Sequence, residues 1–152
     1  FTDVCLPVTG PDNLRRVAGF DPVHVMEGMP LLHVKPPPGQ PALPGWVEWF
    51  DRFGQRTSGQ SRGVHYPNLS VALDAARRNV GFLVAPLGLV LADLAAHRLV
   101  TPFAPDLHLP APFPWTLRLS AQAPGRPPVQ RLAAWLRGEA QATAEAIARF
   151  TA

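Results

Sequence analysis

Lysine is nearly absent from this chain: Lys35 stands alone against thirteen arginines, beside a single cysteine, Cys5, and a single tyrosine, Tyr66. One cysteine excludes an intrachain disulfide and fits a reducing compartment. No histidine lies near it in sequence, so Cys5 reads as a small buried hydrophobe and not as a nucleophile or redox group. Long apolar runs are lacking too, because Pro, Arg and His interrupt every stretch short of the roughly 18 residues a membrane span needs. No basic segment followed by an apolar one opens the chain, so no secretory leader is read and a cytoplasmic protein without membrane contact is expected. The segment Leu6-Pro7-Val8-Thr9-Gly10 spells a sortase-type sorting signal but has no apolar tail or C-terminal setting.

Charge of one sign is also scarce. The net charge is +3, and the arginines scatter from Arg15 to Arg149 without a basic stripe or aromatic–basic interleaving. That excludes a grip on a phosphate backbone by these residues. The histidines (24, 33, 65, 97, 108) show no HxxxH or HxH spacing and no nearby Cys or paired carboxylate, so neither a metal nor a cofactor is expected. No GxSxG elbow, P-loop or GxGxxG is present. Ser70 has no base beside it, and no pair of acids suggests acid–base work. The chemistry expected is binding, without catalysis.

What is present is a 152-residue chain that is 47% apolar, enough for one core or two small lobes. Residues 3–8 read as a strand ended by Thr9-Gly10-Pro11. Asp21-Pro22 opens a short helix that Gly28 closes. Leu31–Val34 is a buried strand, and the five prolines of 36–45 make a surface loop or insertion. Trp46, Trp49, Phe50 and Phe53 share one face of a helix stopped by Gly54. After a strand at 62–66, Asn68 caps a helix to Arg78 with Leu69, Ala72, Leu73 and Ala76 inward. Residues 80–86 are near-continuously apolar, as in a parallel strand covered on both sides. A helix at 87–97, a terse strand at Leu99-Val100, an alternating strand at 115–119 and a helix from 127 to about 150 complete the pattern. Strands alternating with helices give an α/β fold with a largely parallel sheet.

Three stretches in order resemble the effector domain of LysR-type regulators, of the glycine-cleavage activator and β-lactamase-inducer subgroup. Pro7-Val8-Thr9-Gly10-Pro11 is similar to the family's "PV-C/T-S-P". Leu31-Leu32-His33-Val34 with Trp46-x-x-Trp49-Phe50 and Gly54 is similar to "LLH…W..W…G". The longest match runs from Tyr66-Pro67-Asn68-Leu69-Ser70 through Val80–Pro86 and Ala92-Asp93-Leu94 to Arg98-Leu99-Val100-x-Pro102-Phe103. Here Asn79 and His97 replace two of the family's glycines, and the proline-rich stretch at 36–45 is longer than usual.

The resemblance implies a fold like that of type 2 periplasmic binding proteins, two lobes joined by crossing strands with ligand between them. Residues 1–6 would be the first crossing strand, 7–112 one complete lobe, and 113–152 the return strand and C-terminal helix of the other lobe. The front of that other lobe, a winged helix-turn-helix and a linker helix would precede Phe1. By resemblance Thr9, Gly10, Tyr66, Asn68 and Leu83 match cleft positions of the lobe, and Thr2 and Trp115 match the crossing strands. Helix starts after Thr9-Gly10-Pro11 and at Asn68 would suit a small anion such as a carboxylate or amino-acid-like metabolite. Thr2 stands where β-lactamase inducers carry an acid, which speaks against a cell-wall peptide. The implied function is sensing of a small effector by a homo-oligomer that binds DNA through a domain absent from this chain. The alternative is a fragment of a solute-binding protein serving a transporter; an enzyme reading has no residues to support it. With half of one lobe missing, weak or altered dimerisation is expected, with a swap of helix 127–150 between chains as one form of it.

Overall fold

The computed structural model describes residues 1–17, 26–36, 38–39, 42–54, 56–121 and 125–152. Its strands are β1 (Val4–Val8), β2 (Leu31–Val34), β3 (Val64–Tyr66), β4 (Phe82–Pro86) and β5 (Leu109–Pro110). Its helices are α1 (Pro11–Val17), α2 (Trp46–Phe53), α3 (Leu69–Arg77), α4 (Leu87–Ala95) and α5 (Pro127–Thr151). The expected helix from Asp21 falls largely outside the described residues, although Gly28 has the positive φ of +72° that suits a stop. Among the described residues no helix is long and apolar enough to cross a membrane.

The five strands form one sheet in the order β3-β2-β4-β1-β5. β3, β2 and β4 are parallel, with Leu32 opposite Val64 and Leu31 opposite Phe82. β1 runs antiparallel to β4, pairing Val8 with Leu83 and Cys5 with Pro86, and β5 is antiparallel to β1. The expected parallel lobe is therefore a mixed sheet. Apolar runs specify burial but not strand direction, which is why β1 could not be oriented from its composition.

Side-chain alternation divides the core between the two sheet faces. On β4, Leu83 and Ala85 join Leu32, Ala72, Leu73 and Val90 under α3 and α4. Phe82 and Val84 face the other way, with Leu31, Trp46, Trp49 and Phe50 of α2. The aromatic face of α2 is thus core, as its spacing suggests, and Gly54 ends the helix at φ +75°. The two indoles are satisfied as buried N–H donors must be: Trp46 Nε1 donates to the Phe82 carbonyl at 3.1 Å and Trp49 Nε1 to that of Leu107 at 3.0 Å.

The chain's two departures from glycine fall at left-handed positions. Asn79 has φ +60° and His97 φ +54°. Asn79 adds a function a glycine could not, because its Oδ1 accepts from the backbone N–H of Asp12 at 2.9 Å and of Asn13 at 3.3 Å. A residue 67 positions away thus caps α1, and a side chain on Gly10 would collide with that amide.

One sequence expectation needs correction in the C-terminal part. Residues 115–119 form no strand; Trp115 exchanges two backbone bonds with Phe1 (2.8 and 3.2 Å), while Leu117 and Leu119 stay exposed. Alternation alone does not make a strand where no ladder receives it. α5 lies along α4 of its own chain, burying Ala133 and placing Ile147 and Phe150 at the core under α3 and α4. The Leu99-Val100 strand is a single bridge from Val100 to Thr9.

Candidate functional site

A cavity of about 410 Å³ opens where β2 and β4 end and β1 begins. Its floor is Leu32, Leu83 and Val84 of the sheet, with Trp46 at the start of α2. Its walls include Leu43 and Pro44 from the proline-rich loop, and Phe113, Pro114 and Trp115. Polar groups enter at few points: Asp3 on β1's approach, His33 and Lys35 at the end of β2, and Asn68 at the start of α3. A mostly apolar concavity with a few convergent polar groups is the usual form of a small-molecule site.

Each polar group has a definable state. Asn68 caps α3, its Oδ1 accepting from Val71 N–H at 3.0 Å, so the helix N-terminus forms part of the wall. Backbone N–H groups there carry the positive end of the helix dipole. His33 stacks on His65 with ring centroids 4.6 Å apart, and its Nε2 lies 3.3 Å from the Arg62 carbonyl. Burial pushes its pKa below the ordinary 6.5, with His65 and Arg56 acting the same way against the pull of the Arg62 carbonyl. His33 is therefore a neutral ring at pH 7, and Lys35 is the cation on the rim.

Asp3 is fully buried. Its Oδ1 accepts from Val4 N–H at 2.8 Å and from Gly88 N–H in the first turn of α4 at 3.0 Å; its Oδ2 accepts from Trp115 Nε1 at 3.2 Å. One carboxylate thus ties β1, α4 and the Trp115 segment together. Any side chain at position 88 would press on it, since a Cβ there would lie 2.8 Å from Oδ2.

Of the residues singled out in the sequence, Asn68, Leu83 and Trp115 line this cavity. Thr9 and Gly10 lie at the other end of β1, about 20 Å along an extended chain from Asp3. Thr9 Oγ1 donates to the Gly81 carbonyl at 2.9 Å and accepts from Asn13 Nδ2 at 3.0 Å, both buried. The α1 start beside Gly10 is filled by Asn79. Thr2 is exposed and off the wall; Tyr66 is half-buried, its carbonyl accepting from Lys35 N–H at 2.9 Å. Sequence reasoning missed Asp3, His33, Lys35, Leu43 and Phe113. Asp3 left a signal, an acid opening an otherwise apolar run that has to be buried.

Among the described residues no group of three or more His, Cys, Asp or Glu is placed to hold a metal ion. Leu6–Gly10, the sorting-signal lookalike, is buried within the sheet. Cys5 is equally buried, and burial, helped by Asp3, pushes its thiol up to about 12. The cavity offers no nucleophile with a base beside it.

Comparison with known proteins gives this arrangement its lineage. The model of the LysR substrate binding domain matches residues 1–141. The chain belongs to that family. The HTH-type transcriptional activator AmpR of Enterobacter cloacae is 30% identical over 92 residues, covering 60% of this chain and 31% of AmpR. This chain thus spans about a third of that relative. Among solved structures, the effector domain of Pseudomonas aeruginosa AmpR superposes on 98% of the chain and 66% of its own length, with a TM-score of 0.66 at 21% identity. Full-length LysG of Corynebacterium glutamicum, solved with bound effector Arg, superposes with a TM-score of 0.53 at 18% identity, over 96% of this chain and 44% of LysG. The fold of this LysR effector-binding domain is thus the type 2 periplasmic-binding-protein-like one.

Proposed function

We propose that this effector-binding domain senses a small anionic metabolite, a carboxylate or amino-acid-like molecule, in the cavity floored by Leu32 and Leu83. The observation that carries this reading is the meeting of the Asn68-capped start of α3 with Lys35 at the edge of an otherwise apolar pocket of about 410 Å³. An anion there gains the helix dipole and one cation, while its remaining atoms lie against apolar walls. Asn68, Leu83 and Trp115 are the sequence-derived residues in this site; Lys35 and His33 join them. The arginine in LysG is an amino acid, which is consistent with a carboxylate.

In the full-length protein the effector acts on a DNA-binding domain outside this chain, in a cytoplasmic homo-oligomer. Such a ligand has to bind one arrangement more tightly than the other to shift anything. The transporter reading is not favoured, because the family model and the relatives are regulators. The family is one of regulatory domains, not of enzymes.

Thermal-shift screening of amino acids and organic acids tests the proposal. A ligand at 100 times its Kd stabilises by about 2.7 kcal/mol, hence a rise of roughly 5–10 °C for a chain of this size. Lys35→Ala should shrink that rise. If no carboxylate moves the melting temperature, the cavity is not an anion site.

A further inference from the structure

Three large exposed apolar side chains gather around this cavity. Leu43 is 40% exposed, Phe113 38% and Trp115 50%, and all three stand on its walls. Single exposed apolar residues need no explanation, but a cluster rimming a concavity marks a surface that something covers. A volume of about 410 Å³ is in the range that takes a ring-bearing ligand, and far more than a two-carbon acid fills.

Trp115 is held in place with unusual specificity for a residue outside any strand. Its backbone exchanges bonds of 2.8 and 3.2 Å with Phe1, and the two rings stack at 6.4 Å. Its indole N–H donates to Asp3 Oδ2 at 3.2 Å. The other carboxylate oxygen is occupied by Val4 and Gly88 N–H, and Asp3, though it borders the cavity, is fully buried. The indole edge is tied down while Trp115, a lining residue of the cavity, stays half-exposed. Leu43 and Pro44, which also line the cavity, come from the proline-rich loop.

We propose that the effector carries a planar apolar body, as an aromatic carboxylate does, and that Trp115, held in position by Asp3, selects it together with Leu43 and Phe113. This rests on the cavity being the anion site. Trp115, Leu43 and Phe113 would touch the ligand; Asp3 is a positioning residue acting through Trp115. The proline-rich loop is then a specificity element.

The test is calorimetric titration of the 152-residue chain with 2-naphthoate, benzoate and acetate. Naphthoate should bind at least about tenfold more tightly than acetate, since it adds the apolar area of two fused rings. Trp115→Ala should weaken naphthoate by roughly threefold to tenfold, the worth of one aromatic pair, and by more than it weakens acetate. Trp115→Phe should retain most of the naphthoate affinity. Asp3→Asn should weaken naphthoate more than acetate in the native background, and add nothing to that difference when Trp115 is already Ala. An Asp3 that merely supports the fold would weaken both acids alike, in both backgrounds. If Asp3→Asn does not fold, the Trp115 variants still decide. Equal affinity for naphthoate and acetate, or an unchanged naphthoate affinity in Trp115→Ala, overturns the selection while leaving the anion site intact. If none of the three acids binds the native chain, the anion site falls and the selection with it.

Discussion

Replacing Asn79 separates two physical effects that the structure places on one residue. Its backbone sits at φ +60°, a conformation in which Cβ crowds the carbonyl and which Asn tolerates better than Ala. Its side chain caps α1 through the N–H groups of Asp12 and Asn13. Losing a cap costs about 1 kcal/mol, and a left-handed Ala costs about 1 kcal/mol more. Asn79→Ala should therefore destabilise by about 2 kcal/mol. Asn79→Gly loses the cap but relieves the backbone, so it should cost only about 0.5–1 kcal/mol, part of that through the freer unfolded chain. Guanidinium unfolding at fixed pH gives both values, and the larger one corresponds to a fall of roughly 4–8 °C in melting temperature for a protein of this size. An Asn79→Ala effect within about 0.5 kcal/mol, the range of an ordinary surface substitution, would refute the cap and the strain together. A glycine variant less stable than the alanine variant would refute the left-handed backbone alone.

Asp93 is buried between Arg77, at 2.7 and 3.0 Å, and Arg98, at 2.7 Å. Burial pushes its pKa up, but hydrogen bonds from Arg77 and Arg98 outweigh that and hold it below its ordinary 3.8. Because both arginines reach solvent, Asp93→Asn should cost about 2 kcal/mol in guanidinium unfolding and not the 3–5 of a sealed pair; a change below about 0.5 would contradict the network. The depressed pKa of His33 means that the native state binds fewer protons than the unfolded chain as pH falls below 6.5. Its contribution is complete above 6.5 and lost as pH drops through the native value, so the melting temperature should fall on that side; His33→Gln should flatten the slope, and an unchanged slope would remove His33 as its source. With the Cys5 thiol pushed up to about 12, the native chain should not react with a disulfide reagent at pH 8, and prompt labelling would place Cys5 at the surface.

Where periodicity and capping agree, the fold was legible. Asn68 before an apolar-faced helix, and Trp46, Trp49 and Phe50 ahead of Gly54, fixed α3 and α2 nearly to the residue. β5, only Leu109–Pro110, carries too little sequence to read, and residues 115–119 alternate without a ladder. Half of the candidate site was legible for a related reason. Asn68 and Leu83 sit at element ends whose direction follows from the parallel strands, so their arrival at the cavity could be anticipated. Thr9 and Gly10 hang on the direction of β1, and that depends on pairing with β4 and not on local composition. Asp3 signalled its burial by opening an apolar run, but its partners could not be read, because Gly88 and Trp115 are 85 and 112 residues away.

The site's two sides are not held alike, and that bears on how a ligand there could matter. Leu32 and Leu83 on the floor are register partners in the sheet, so shifting them would break the ladder and the core beneath α3. The Trp115 wall hangs on two backbone bonds to Phe1 and one indole bond to Asp3. A ligand pressing on both sides therefore meets least resistance at Trp115. Asp3, which accepts the indole bond, also accepts from the N–H of Gly88 in α4, and Thr143 of α5 lies close to Gly88. The cavity and the C-terminal helix are thus joined through one carboxylate.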